Sequence, residues 1–383
     1  MEDYAYLSAV NTNLAKNLTS MEKQKNNFCV ILAGGRGRRL WPSSRMERPK
    51  QFIDFFGTGR TLLQTTYDRF QSFMLEENIY VCTSQEYVDL VHEQLPELPD
   101  EHLLVEPVNR NTAPSVAWAG RRIHNMCDEA RVIVTPSDLH VVGDEAFAKD
   151  VLKGLDFVAK RDLMLTMGIR PTRPEPGYGY IQLGEPTATE GIGKVQSFTE
   201  KPERDFARVF MESGEFYWNT GMFLCNVLYM RRWFLNLFKD MPFRLAYLPQ
   251  GYTIAEELDY VKKYFSSYPN LSMDQAALEL SDNVYMMQCD FGWADLGTWH
   301  GIYECMQRTE GDNIVIDTEV IMEDCKDNIV RLPKGHIGVI NGLEGYIVAE
   351  EGDVLLICKK SDSSALIRKY VNEVGIRYGD QYI

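Results

Sequence analysis

No stretch of the 383-residue chain reaches the roughly 18 consecutive apolar residues of a membrane-spanning helix, so no membrane partner is expected. The first 27 residues are polar and mixed in charge and lack the apolar stretch of a secretory leader. Residues 1–20, ahead of Met21, read as a disordered extension or a start-site artefact, and the polar extension as a whole runs over 1–26. None of the eight cysteines has a CxxC partner, and Cys29 and Cys358 lie inside the apolar runs FCVILA and VLLICKK. Buried free thiols of a cytoplasmic protein explain this usage better than disulfides or a zinc site. Positive charge is in deficit, with 40 Lys and Arg against 55 Asp and Glu. The resulting net charge of -15 argues against a general nucleic-acid binder and makes any local basic cluster informative.

The apolar runs that are present are short. FCVILA (28–33), NIYVCTS (78–84), ARVIVTPSD (130–138) and RDLMLTMGI (161–169) each suit a buried strand, and helical patterns over 61–75 and 112–126 lie between them. Strands alternating with helices predict an α/β fold with a Rossmann-like, mainly parallel sheet, whose ligands sit beyond the carboxyl ends of the strands. The main domain is expected over 27–308. From about 309 the texture changes to short β runs separated by turn residues, ending in a helical tail at 361–374. A small C-terminal β domain over 309–383 follows from that change.

The segment 33–51, AGGRGRRLWPSSRMERPKQ, carries Arg36, Arg38, Arg39, Arg45, Arg48 and Lys50 against Glu47 alone. Glycines at 34, 35 and 37 let backbone amides approach an anion, and arginines supply forked donors to phosphate oxygens. A dinucleotide fingerprint would need glycine where Leu40 stands, and a Walker A loop would need a GK[ST] ending. The remaining readings are a triphosphate loop and a solvated basic turn, and six cations beside three glycines at a strand end favour the first.

Asp138 follows the strand VIVTP, and Asp295 lies in FGWADLGTW. Either could be an ordinary turn or capping residue. Converging over the sheet edge, the two would supply the carboxylates that Mg²⁺ on a triphosphate requires. Between 170 and 221, PGYGY offers Gly177 and Gly179, FTEKP offers Glu200 and Lys201, and YWNTGMF offers Asn219 and Gly221. Carboxylates and amides suit sugar hydroxyls, and a lysine suits a phosphate. Alone, EKP reads more readily as a solvated turn. In a strand Glu200 and Lys201 would face opposite ways, so at least one is expected on an irregular turn before Pro202.

Taken together, LAGGRGRRLWPSSRMERPKQF, PSD, GYGY, FTEKP, NTGMF and WADLGTW resemble the motif set of sugar nucleotidyltransferases, over about residues 28–375. WP after RL and the PKQF ending resemble the mannose-1-phosphate guanylyltransferase branch of that family. The resemblance implies a nucleotidyltransferase, GT-A-like fold with a C-terminal region like a partial left-handed β-helix, and a homodimer. It implies that Ala33, Gly34, Gly35, Arg36 and Gly37 wrap the triphosphate of GTP, that Arg38 activates it, and that Lys50 contacts the reacting phosphates. It implies metal binding by Asp138 and Asp295, and binding of mannose 1-phosphate by Gly179, Glu200, Lys201, Asn219 and Gly221. The stretch EPVNRNTAP resembles the guanine-pocket motif, in which Glu106 or Asn111 would accept the N–H donors of the base. Asn111 or Thr112 could instead cap the helix that follows. Relatives carry His directly after the first metal aspartate, whereas here Leu139 stands there and His140 follows. His140 is therefore left outside the catalytic set.

The implied reaction moves GMP from GTP to α-D-mannose 1-phosphate. A phosphomonoester with a second pKa near 6 is already ionised at neutral pH, so no general base is needed. That fits the lack of an evident Ser–His or Cys–His pair. The rival activities are a related pyrophosphorylase using another nucleotide or sugar, and a non-catalytic regulatory homologue. The second would have lost loop cations or aspartates that this chain keeps. A fused isomerase is disfavoured, because only about 75 residues follow the main domain.

Overall fold

The computed structural model describes residues 22–241, 245–306, 309, 311–361 and 363–383. The predicted extension therefore lies outside the described residues up to position 21. Ten strands bear on the main part: β1 (Asn27–Leu32), β2 (Ile79–Ser84), β3 (Leu103–Glu106), β4 (Arg131–Pro136), β5 (Leu139–Val142), β6 (Met164–Ile169), β7 (Tyr180–Pro186), β8 (Ile192–Thr199), β9 (Phe216–Asn226) and β10 (Val284–Cys289). All except β5 form one sheet in the order β3-β2-β1-β4-β9-β6-β10-β8-β7. The helices Leu62–Gln71 and Thr112–Met126 form where the periodicity predicts them.

The expectation of a mainly parallel sheet is corrected. The pairs β1–β2, β2–β3, β1–β4 and β6–β10 are parallel. The pairs β4–β9, β6–β9, β8–β10, β7–β8 and β7–β9 are antiparallel. The 11-residue β9 enters between β4 and β6 against their direction. Because β7 pairs with both β8 and β9, strands β9, β6, β10, β8 and β7 close into a ring. An apolar run looks the same in either direction when both faces are covered, so the residue pattern could not reveal this.

Alternate residues of each strand feed opposite faces. Cys29 and Ile31 join the core beneath the helices Leu62–Gln71 and Asp144–Val158, while Phe28 and Val30 join the core beneath Thr112–Met126 and Val227–Leu237. All eight cysteines are free thiols, and none is exposed.

Outside the sheet, β5 pairs antiparallel with β11 (Gly292–Asp295), setting Asp295 opposite Leu139. Six further strands follow: β12 (Ile314–Ile316), β13 (Glu319–Glu323), β14 (Ile329–Arg331), β15 (Ile337–Asn341), β16 (Tyr346–Glu351) and β17 (Val354–Lys359). Parallel pairings join Ile314 to Ile329, Ile329 to Ile347 and Glu319 to Ile337, so strands from successive turns of chain stack side by side. A helix, Ser363–Tyr378, follows and ends four residues beyond the predicted tail. A third core joins this region to the basic loop, since Leu40, Trp41 and Trp299 are buried with Ile314, Ile347, Leu356, Ile367 and Val371.

Candidate active site

Strand β1 ends at the glycines, and its continuation is held by the side chain of Gln51. Buried Gln51 donates from Nε2 to the carbonyls of Ala33 (2.8 Å) and Gly35 (2.9 Å). Ala33 is itself buried, and its amide donates to the Cys82 carbonyl (2.8 Å). Gly37 has φ of +60°, and a Cβ there would lie 2.3 Å from Ser44 Oγ and 2.9 Å from Lys50 Cγ. Only glycine fits that turn. The crowding has a purpose: Ser44 Oγ accepts from the Lys50 amide (3.0 Å), folding the return limb so that Lys50 comes back beneath the glycines.

Two cavities meet there. One is lined by Gly34, Gly35, Glu106, Asn111 and Thr112 among others. The other is lined by Arg39, Gly177, Gly179, Glu200, Lys201, Asn219, Gly221 and Asp295 among others. Lys50, Pro136 and Asp138 line both. At the junction Lys50 Nζ is ion-paired with Asp138, and both side chains are largely buried. Arg39 Nη2 lies 3.9 Å from Asp295 Oδ2, and Lys201 is ion-paired with Glu200. The β5–β11 ribbon brings the two aspartates to one end, where the Leu296 amide donates to the Asp138 carbonyl (3.3 Å).

In the first cavity Glu106 is buried and accepts from Ser115 Oγ (2.5 Å). Burial pushes its carboxyl up to about 7, and the Ser115 hydrogen bond opposes that rise. The cap of the following helix is Asn111, at φ +64°, whose side chain accepts from the Thr112 amide (3.0 Å). Thr112 stands one residue inside the helix and accepts from the Met273 amide instead (2.8 Å). In the second cavity β8 stops at Thr199, and Lys201 adopts φ +46°, the irregular turn that the EKP spacing predicts. Gly179 is pressed against the Phe198 ring, 2.7 Å from where a Cβ would stand, and its carbonyl accepts from the Asn219 amide (2.8 Å). Asn219 Nδ2 donates to Asp274 Oδ1 (2.6 Å), and Gly221 follows in a left-handed turn. Desolvation, with the nearby Glu200 charge, holds Asp274 above the usual carboxylate range.

Not every predicted residue meets at the junction. Arg36 is exposed and pairs with Glu86 at 3.4 Å, and Arg38 is exposed on the loop; neither lines a cavity. Arg39, not singled out from the sequence, does line one. Adjacent residues of the 3-10 turn Arg38–Leu40 point about 120° apart, so one arginine faces inward and its neighbour outward. Gln51, Asp274 and Tyr178 were also missed; the Tyr178 hydroxyl accepts from the Asp295 amide (3.3 Å). The identity of Gln51 within PKQF was a usable signal, whereas nothing near Asp274 marks it. His140 lines neither cavity and sits 5.0 Å from the Phe56 ring.

Residues 28–236 match the nucleotidyl transferase family. The chain belongs to that family. Among curated relatives of this nucleotidyltransferase, the mannose-1-phosphate guanylyltransferase ManC of Salmonella typhimurium is 34% identical over 350 residues, covering 88% of this chain and 71% of the relative. The mannose-1-phosphate guanylyltransferase of Escherichia coli K12 is 32% identical over 365 residues, covering 92% and 74%. A solved structure described as a mannose-1-phosphate geranyltransferase from Thermus thermophilus superposes with a TM-score of 0.75 at 28% identity, covering 91% of this chain and 99% of that one. Among the described residues of this enzyme no helix is long and apolar enough to cross a membrane.

Proposed function

We propose that this enzyme transfers GMP from GTP to α-D-mannose 1-phosphate, forming GDP-mannose and releasing pyrophosphate. The observation that carries the reading is the junction. One cavity, with an acidic acceptor at Glu106, and a second, lined by glycines, a carboxylate and an amide, share Lys50 and Asp138. Relatives bearing the guanylyltransferase name support the choice of base and sugar.

The sugar phosphate arrives as its own nucleophile, and the obstacle is the repulsion between two anions. Three cations line the second cavity, Arg39, Lys50 and Lys201, and each is ion-paired or close to a carboxylate. Phosphates entering the site would take over those cations and leave Asp138 and Asp295 free. Two carboxylates at one end of a ribbon suit Mg²⁺, a hard cation that takes one or two protein carboxylates plus phosphate and water oxygens. Among the described residues no cluster of three or more His, Cys, Asp or Glu could hold a metal, so the substrate would complete the shell. A bound Mg²⁺ would neutralise phosphate charge. Lys50 then orients the α-phosphate, Lys201 holds the sugar phosphate, and in-line displacement needs no covalent enzyme intermediate.

On this reading residues 27–308 are the transferase domain, and 309–383 a partial left-handed β-helix with its terminal helix. A cytoplasmic homodimer is the expected form, and sedimentation velocity tests the dimer. Pyrophosphate release, measured with GTP, ATP, UTP and dTTP against mannose 1-phosphate and its epimers, tests the function. Fastest turnover with GTP and mannose 1-phosphate is expected; a clear preference for another pair would replace the assignment.

A further inference from the structure

The limb that returns the chain from the glycine loop to Lys50 is tied to the C-terminal region by backbone acceptors. Trp41 Nε1 donates to the Tyr382 carbonyl (2.7 Å), and the Met46 amide donates to the main-chain oxygen of Ile383 (3.0 Å). Arg45 donates to the Glu351 carbonyl, at the end of β16. The Trp41 carbonyl also accepts from Trp299 Nε1 (3.2 Å), and Trp299 lies four residues after Asp295. Around these bonds Leu40, Trp41, Leu296 and Trp299 are buried in one core with Ile367 and Val371 of the terminal helix.

Arg39 and Lys50 flank this limb on its two sides, and Asp295 is reached through Trp299. A long polar loop with three glycines would otherwise be the softest part of the fold. We infer that residues 379–383, acting through Trp41, are a clasp that positions Arg39, Lys50 and Asp295 for the reaction. These are positioning residues, because neither Trp41 nor any residue of 379–383 lines either cavity. The inference rests on the proposed function for its catalytic consequence, though the clasp itself does not. Misplacing a reacting group by about 1 Å costs on the order of a hundredfold in rate. Arg39, Lys50 and Asp295 all line the second cavity, and the Asp295 amide donates there to the Tyr178 hydroxyl (3.3 Å), so loss of the clasp should be felt by both substrates.

The test removes Gln381–Ile383 from the full chain, and in a second variant makes Trp41→Phe, which keeps an apolar ring and loses the indole donor. Two readouts are taken well below the melting temperature: kinetics with each substrate varied, and amide hydrogen exchange by residue. Expected is a fall in kcat/KM of at least about tenfold for both substrates, since Arg39, Lys50 and Asp295 line the cavity proposed for the sugar phosphate and Lys50 lines the other as well. Exchange over residues 40–50 should quicken, while the helix Arg204–Ser213 stays as in the wild type. If truncation prevents folding, Trp41→Phe decides, with the same pattern and a smaller amplitude. Wild-type kinetics and exchange in a folded variant, lost activity with unchanged exchange over residues 40–50, or exchange that quickens equally over residues 204–213, overturn the inference. If the wild type itself fails to turn over GTP with mannose 1-phosphate, the function reading fails, and the exchange arm still decides on the clasp.

Discussion

Alanine at two neighbouring glycines separates what the phosphate loop needs in order to fold from what it needs in order to bind. Gly37 is required by the chain itself. Alanine there must hold φ +60°, a cost of roughly 1–2 kcal/mol, and its Cβ would stand 2.3 Å from Ser44 Oγ. Ser44 would have to move, and the Lys50 amide would lose its 3.0 Å acceptor, about 1 kcal/mol more. Gly35→Ala is the opposite case. Nothing lies within 4 Å of the new Cβ, and no positive φ is imposed, so the folded protein should be unharmed. Loss of chain entropy could even stabilise it by about 0.4–1 kcal/mol. Gly35 nevertheless lines the cavity proposed for the nucleotide, where a methyl group would occupy the space a phosphate would approach. Thermal midpoints without ligand, paired with GTP titrations, read the two effects apart. Gly37→Ala should melt several degrees lower and bind GTP weakly; Gly35→Ala should melt like the wild type and still lose at least about tenfold in GTP affinity. A Gly35→Ala protein with wild-type affinity would refute the claim that this loop cradles the triphosphate.

Asp138→Asn and Asp295→Asn should each nearly abolish turnover in a folded protein; near-normal rates at saturating Mg²⁺ would remove both from the metal site. Lys201→Ala should raise KM for mannose 1-phosphate about ten- to hundredfold, from a charge-assisted bond of about 1.5–3 kcal/mol, and barely change GTP binding, as titration of each ligand would check. Arg39→Ala should lower kcat/KM far more than Arg38→Ala, and equal losses would mean that binding reorients the turn. For Glu106 the folded carboxyl titrates at about 7 against 4.5 as a free group, so it favours the folded state at low pH and that stability is lost as pH rises from 4.5 through 7. The loss amounts to about 3 kcal/mol in full, so the stability advantage of Glu106→Gln over the wild type should grow between about pH 5 and pH 8, as denaturant titrations at the two pH values would show.

Much of the site was legible because its chemistry clusters in sequence. Of the six loop cations, Arg39 and Lys50 reach the two cavities, with Gly34 and Gly35 of the three glycines and with Asp138 and Asp295. The four predicted strands are present because short continuous apolar runs suit strands covered on both faces, and both predicted helices because their 3.6-residue period survives in burial. Strand direction was not legible, since β9 buries both faces and its apolar run carries no sign of orientation. The choice between Arg38 and Arg39 was not legible either, because a single 3-10 turn decides which of two equal side chains faces inward. The ties from Trp41 and Met46 end on main-chain oxygens of Tyr382 and Ile383, and a main-chain acceptor leaves no mark on residue type. Asp274 reaches the sugar cavity from a segment with no motif, where its partner is Asn219.

The proposed reaction requires a sugar-phosphate oxygen to reach the α-phosphorus of GTP directly across Lys50 and Asp138. A GTP analogue made chiral by sulfur at the α-phosphorus tests it, through the configuration of the GDP-mannose formed. Direct in-line attack predicts clean inversion. Retention would require two displacements through a covalent enzyme intermediate and would contradict the account.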